Sequence, residues 1–179
     1  MDSQTQDPLF PQSRERGAAG SRAGGDWADA PLFEGMRAQS LELLGRHAFV
    51  QRVPAGAVLT EAGERPRLLH VLLDGLAHMV AEHAGHEAGV AIVEPVAPAM
   101  LSSVIVDRPQ LATLQTLAPS RLLLVPADVV RTVFETDSAF ARSVARTLVE
   151  DERRAYSEGK NLNLLTPPER LSYCGLCRV

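Results

Sequence analysis

The stretch Leu68-Leu69-His70-Val71-Leu72-Leu73-Asp74-Gly75-Leu76-Ala77-His78-Met79-Val80 determines the fold. It contains two short apolar runs separated by Asp74-Gly75, a pair that favours a type I′ turn because both residues tolerate positive φ. Short runs bounded by turn residues are typical of β-strands. The sequence therefore predicts a β-hairpin here, with its turn at Asp74-Gly75.

The same texture extends on both sides, from Phe49 to Leu124, as short apolar or alternating runs separated by Gly and Pro. Besides the two central runs, the predicted strands are 58–60, 90–93, 112–117 and 121–125. Many short strands at regular spacing are typical of an antiparallel sandwich or barrel. We therefore expect residues 29–137 to form a mainly β domain, a double-stranded β-helix or jelly-roll, with flanking helices.

Helical periodicity appears on either side of this region. Asp29 as N-cap and Pro31 in the first turn predict a helix over residues 30–46. After Pro126 a short helix is predicted, and Asp137 or Ser138 caps a longer one over residues 139–162. Residues 1–28 are rich in Gly, Ala, Ser, Arg and Gln, so they are predicted to be a disordered extension.

One stripe of the long helix repeats at steps of three or four residues. Its members are Phe140, Val144, Leu148, Asp151, Ala155 and Leu162. This spacing is close to a heptad seam, so segment 138–164 is predicted to be a dimerisation helix and hinge that makes the protein a homodimer. Packing of the same stripe against the chain's own β domain is the alternative.

The C-terminal segment 165–179 contains a capping box, Thr166-Pro167-Pro168-Glu169, which predicts the start of another helix. The sequence ends at Val179, about three helical turns later. We expect this segment to be the first part of a further domain.

Composition narrows the function classes. The formal net charge is −4, so a basic surface that would bind nucleic acid by itself is not expected. No apolar run approaches the roughly 20 residues of a membrane span, and no secretory signal is present, which favours a cytoplasmic protein without membrane contact. An iron–sulfur cluster is disfavoured, because such clusters need four cysteines and only two are present, Cys174 and Cys177.

The order of these elements resembles the Crp/Fnr family of transcription regulators. The stretches that carry the resemblance are 53–59 with Gly63-Glu64, 68–75, 120–127, 160–164 and 168–171. The resemblance implies a sensor domain of the cyclic-nucleotide-binding type, a dimer helix, and a winged helix-turn-helix beyond the hinge that binds DNA. Residues 165–179 are too few for that unit, so contact with DNA would depend on a domain largely missing from this chain.

The resemblance also locates a ligand pocket. Cyclic-nucleotide binders of the family use a Gly-Glu segment for the ribose and an Arg-Ser or Arg-Thr pair for the phosphate. In the corresponding region, 96–104 followed by 108–113, Gly-Glu is absent, and Gln110-Leu111 stands where Arg-Ser is expected. The candidate pocket residues are Met100, Leu101, Ser102, Ser103, Arg108, Gln110 and Leu111. We therefore expect a small effector other than cyclic AMP, or none, with packed core as the alternative for the apolar members.

Two other hypotheses use the histidines. A haem sensor could use His78 as an axial ligand, although the sequence suggests no second ligand. A cupin-like metalloenzyme could bring His70 and His78 together, but there is no His-x-His pair and no matching carboxylate. No Ser/His/Asp grouping or phosphate loop is present either, so the protein is predicted not to be an enzyme.

Overall fold

The computed structural model describes residues 21–22, 27–83 and 86–164. In them the strands are β1 (Ser21–Arg22), β2 (Phe49–Val53), β3 (Val58–Thr60), β4 (Leu68–Asp74), β5 (Ala77–His83), β6 (His86–Val93), β7 (Ala97–Ala99), β8 (Thr113–Thr116) and β9 (Ser120–Pro126). The helices are a short 3-10 helix (Pro31–Phe33), α1 (Ala38–His47), α2 (Leu101–Val106), α3 (Ala127–Thr136) and α4 (Ser138–Leu164).

The strands form two antiparallel sheets. One has the order β1-β2-β9-β4-β7 and the other β3-β8-β5-β6. Every strand that the sequence predicted is present, whereas β1, β2 and β7 had not been delimited as strands. The predicted jelly-roll with flanking helices and a long C-terminal helix is confirmed.

The predicted hairpin at Asp74-Gly75 is wrong. β4 and β5 follow one another along the chain but lie in different sheets, so this turn carries the chain from one sheet to the other. Gly75 has φ +101°, and a Cβ there would collide with the Ser120 hydroxyl and lie 2.7 Å from the Pro119 carbonyl oxygen. Only glycine fits this turn. The hairpin is formed instead by β5 and β6, with His83 opposite His86.

The five-stranded sheet has an apolar core on each face, because successive side chains of a strand point in opposite directions. The helix-side core includes Leu69, Val71, Leu123 and Val125 from the sheet and Leu44, Val104, Val130, Val133, Phe140 and Val144 from the helices. The inter-sheet core includes Leu72, Ala77, Val93, Ala99, Leu114, Leu122 and Leu124.

The N-terminal helix differs from its prediction. Instead of one helix over 30–46, the chain forms the 3-10 helix and then α1, whose N-cap is Arg37 rather than Asp29. Trp27, at the end of the predicted extension 1–28, is buried in the helix-side core, with its ring edge-on to Phe33 at a centroid distance of 5.2 Å. The rest of the extension, apart from β1 and Ala28, lies outside the described residues.

Asp137 caps α4, as predicted, and it also binds the main chain at the start of α1. Its Oδ1 accepts hydrogen bonds from the backbone N–H groups of Ala139 (2.9 Å) and Phe140 (3.3 Å), while Oδ2 accepts one from the N–H of Arg37 (2.9 Å). Burial raises the pKa of this carboxyl, but hydrogen bonds from Ser40 and these three N–H groups outweigh it and lower the pKa to about 2. One ionised carboxylate therefore fixes the start of α4 against the start of α1.

The stripe predicted as a dimer seam divides into two parts. Phe140 and Val144 are fully buried in the helix-side core and Leu148 packs against it, so they contact the chain's own domain. The first half of the predicted seam is therefore wrong as a dimer contact. Asp151 and Ala155 are exposed, while the side chain of Leu162 and all of segment 165–179, with its predicted capped helix, lie outside what the structure describes. Among the described helices, none is long and apolar enough to cross a membrane.

Candidate ligand site

The candidate pocket segment folds around a helix that the sequence did not reveal. α2 begins after Met100 and ends before Asp107, and both flanking residues adopt left-handed backbone conformations, with φ of 54° and 51°. Non-glycine residues seldom adopt positive φ, and each such position costs about 1–3 kcal/mol. Strain of this kind collects at binding sites, and here it occurs at both ends of one six-residue helix.

The structure separates the predicted pocket residues into inner and outer groups. Leu101, Ser103 and Gln110 are buried, and Met100 is partly buried against the inter-sheet core. Leu101 belongs to the helix-side core. Ser102, Arg108 and Leu111 are exposed. Leu111 is 89% exposed, so its interpretation as packed core or apolar lining is wrong.

Gln110 is held firmly between α2 and β8. Its N–H donates to the carbonyl oxygen of Glu64, and its carbonyl accepts from the N–H of Gly63, both at 2.8 Å. The side chain is 3% exposed, and its carboxamide oxygen has no hydrogen-bond partner among the described residues. A buried polar atom without a partner is uncommon in folded proteins, because it has lost its contact with water.

Three charged residues tie α2 to its surroundings. The Asp107 carboxylate lies 3.4 Å from the guanidinium of Arg131 on α3 and 3.6 Å from that of Arg65. Arg131 also donates to the carbonyl oxygen of Val104 at 3.1 Å. These ion pairs are largely exposed and each contributes little to stability, but they place both guanidinium groups beside a carboxylate.

His70 is a buried histidine that sequence reasoning considered only as a metal ligand. It lies opposite Ala99 and Leu124, two members of the inter-sheet core, so its side chain faces the space between the sheets. Burial lowers its pKa to about 4. The imidazole is therefore neutral at pH 7. Its position in the apolar run 68–73 was the available signal, since Leu68 and Leu72 share its face.

His78 lies on the opposite side of the other sheet. Its Nε2 lies 3.2 Å from Oε1 of Gln115, the residue directly across from it on β8, and Met79 packs in the inter-sheet core. His78 is therefore directed away from the interior where a haem would bind. His70 and His78 do not converge, and among the described residues no group of three His, Cys, Asp or Glu side chains could hold a metal ion. The cupin hypothesis gains no support.

A jelly-roll with a short helix inserted before β8 and helices closing one face is the architecture of cyclic-nucleotide-binding domains. Residues 50–137 match the family model described as "Cyclic nucleotide-binding domain", and these residues form most of the two sheets.

Solved structures share the fold at low sequence identity. The sensor domain of the transcriptional regulator DNR from Pseudomonas aeruginosa superposes with a TM-score of 0.61 at 18% identity, covering 69% of this chain and 88% of that one. The catabolite activator protein of Thermus thermophilus gives 0.56 at 18%, covering 73% and 60%. The regulatory domain of Toxoplasma gondii PKA with cAMP gives 0.55 at 17%, covering 59% and 41%. A comparison with curated proteins found no match. The chain therefore spans most of an isolated sensor domain but less than two thirds of a whole activator.

Proposed function

We propose that this chain is the sensory and dimerising part of a Crp/Fnr-type transcription regulator, a non-enzymatic protein whose effector is a small molecule other than cyclic AMP. The observation that carries the proposal is the replacement of the charged residues of the ligand segment. The Gly-Glu segment of the family's cyclic-nucleotide binders is absent from residues 96–104, and Leu101 in that stretch is buried in the helix-side core. Gln110, where they have arginine, is buried and uncharged.

Electrostatics supports this exclusion of cyclic AMP. A cyclic phosphate carries a full negative charge, and taking it out of water requires a cation or several N–H donors nearby. The arginines closest in sequence or contact to the segment do not supply it. Arg108 is exposed, while Arg65 and Arg131 lie beside the Asp107 carboxylate.

Isothermal titration of the purified protein with cyclic AMP tests the effector class. We expect no heat of binding with up to millimolar nucleotide. Dissociation constants in the micromolar range would contradict the proposal. Gln110→Arg is the informative variant: gain of weak cyclic AMP binding would show that the missing charge, and not a blocked pocket, excludes the nucleotide.

For the dimer, we propose that a second copy of the chain covers the exposed part of α4. Val149 is 52% exposed and Tyr156 77% exposed, and they lie seven residues apart, which places both on one side of the helix. Asp151 and Ala155, from the exposed half of the predicted seam, lie on the opposite side of α4, so the proposed contact differs from the predicted seam.

Analytical ultracentrifugation at tens of micromolar tests the dimer. We expect a dimer for the wild type and a monomer for the double variant Val149→Glu with Tyr156→Glu, because buried like charges oppose association. Arg154→Glu, an exposed change on another side of the same helix, serves as the control and keeps the dimer. A monomeric wild type would contradict this part of the proposal.

A haem sensor is a second candidate, favoured by His70 rather than His78. A neutral imidazole that faces an apolar interior is a chemically suitable iron ligand. The absorbance spectrum of the protein purified from cells distinguishes the two candidates. A Soret band that is lost in His70→Leu would favour haem, and its absence favours an organic effector.

A further inference from the structure

The Gln110 carboxamide is buried, and its oxygen has no hydrogen-bond partner among the described residues. The Gln110 side chain is 97% removed from solvent, while its neighbour Leu111 is 89% exposed. In ordinary packing the apolar side chain is buried and the amide contacts water. Here the amide side chain is buried and the apolar side chain is exposed.

The main chain of Gln110 is held in place on both sides of the residue. Both of its backbone hydrogen-bonding groups are used, by Glu64 and Gly63. The residue is also confined between Pro109 and the start of β8, while Met100 and Asp107 hold α2 in place by left-handed conformations at its two ends. The main chain of Gln110 is therefore fixed, and the carboxamide oxygen is available to a donor that is not among the described residues.

We propose that the Gln110 carboxamide oxygen accepts a hydrogen bond from a small, uncharged, largely apolar ligand that carries an N–H or O–H donor. This deepens the proposed function and rests on it. A carboxamide is neutral, so it provides direction without compensating a charge. The residues that lead into the segment, Ala99, Met100 and Leu101, are apolar members or neighbours of the two cores. An anion would meet the negative end of the carbonyl dipole instead of a donor.

Indole and 1-methylindole form a matched pair of probes, because they share a bicyclic ring and differ in the presence of one N–H donor. Titration calorimetry of the full chain with each probe measures the preference directly. We expect indole to bind about tenfold more tightly, the ratio that one hydrogen bond to a buried acceptor gives. In Gln110→Leu the acceptor is gone and the two affinities become equal.

Gln39→Leu is the control, because it makes the same change at an exposed position on α1 and keeps the preference for indole. A thermal melt shows that each variant is folded. Equal affinity of the two probes for the wild type, no binding of either at millimolar concentration, or a preference that survives Gln110→Leu would overturn the inference. These outcomes are separate from the cyclic AMP titration: a positive result there defeats the proposed function, whereas failure here with no cyclic AMP binding defeats the inference alone.

Discussion

The helix-side core and the inter-sheet core lie on opposite faces of the five-stranded sheet. The two sides of this sheet differ in whether each of their buried polar groups has a hydrogen-bond partner. On the helix side, Asp137 is fully buried and its carboxylate accepts three backbone N–H groups. In the β-roll, the buried Thr116 hydroxyl likewise has a partner, since it donates to the Pro54 carbonyl oxygen at 2.8 Å, whereas the Gln110 carboxamide oxygen has none among the described residues. A satisfied buried group holds a fold together, while an unsatisfied one is available to a ligand. Among the buried side chains of the described residues, the Gln110 oxygen is therefore the atom that is available to a ligand.

The largest expected effect compares two phenylalanines, one in each core. Phe140 is fully buried and stacks on Phe33 at a centroid distance of 6.3 Å, whereas Phe49 is only partly buried against the inter-sheet core. Phe140→Ala should lower the free energy of unfolding by about 4 kcal/mol, and Phe49→Ala by about half as much, because the partly buried Phe49 side chain has less packing to lose. Urea unfolding followed by circular dichroism measures both. Equal losses would contradict the expected difference in packing between the two phenylalanines.

The next effect is the acid sensitivity of the β-roll. The folded pKa of His70 is about 4, below the ordinary 6.5, so between these values the unfolded chain binds a proton that the folded chain does not. Stability is therefore complete above about pH 6.5 and falls as the pH drops toward 4, by about 3 kcal/mol. Urea midpoints from pH 7 to 4 should show the decline.

The variant His70→Leu should flatten this pH profile, since it removes the titrating group and places an apolar side chain beside Leu72 and Leu124. His47→Leu is the matched control at an exposed position on α1 and should keep the decline. If His70→Leu retains the full decline, another group causes it and the interior histidine is not the acid-sensitive element.

A smaller effect is expected at the helix-side carboxylate. Asp137→Ala removes the cap of α4 and leaves the Arg37 N–H without its acceptor, which should cost about 2 kcal/mol at pH 7. Because the pKa of Asp137 is lowered to about 2, its contribution is present above pH 4 and is lost as the pH falls toward 2. The gap between wild type and variant should therefore close in that range, below the window of His70. Glu135→Ala, exposed on α3, should change stability by less than about 0.5 kcal/mol.

How much of this was predictable from the sequence depends on whether the signal was local. Strand positions and the Asp137 cap follow from periodicity and side-chain chemistry, so the jelly-roll and the start of α4 were predicted closely. The partner of β4 was not, because Asp74-Gly75 specifies a tight turn but not the sheet to which the next strand returns. Nor was the burial of Phe140 and Val144, since one apolar stripe fits a dimer seam and a domain contact equally well.

The same limit applies to the candidate site. The sequence identified Gln110 and Leu111 as departures from the family pattern, yet it gave no means of telling which of two neighbours faces inward. α2 was missed because six residues are too few for helical periodicity to show, and its left-handed flanking residue Met100 has no glycine to mark it. Burial of a single side chain is a tertiary property, and it decides the chemistry here.

The smallest expected effect is a change in the free energy of unfolding that has opposite signs at two glutamines. Gln110→Leu removes a buried oxygen that has no partner, so it should raise the free energy of unfolding by about 1 kcal/mol in the absence of ligand. The same substitution at Gln115 should lower it by about 1 kcal/mol, because the Gln115 amide lies 3.2 Å from His78 Nε2 and donates to the Gly56 carbonyl at 3.1 Å. Urea unfolding of both variants at pH 7 measures the two changes in the free energy of unfolding. If both substitutions destabilise, the Gln110 amide is already satisfied, and the β-roll holds its polar groups as the helix side does. Opposite signs would mean that the chain keeps an unfavourable glutamine in its interior, as expected where stability is given up for binding.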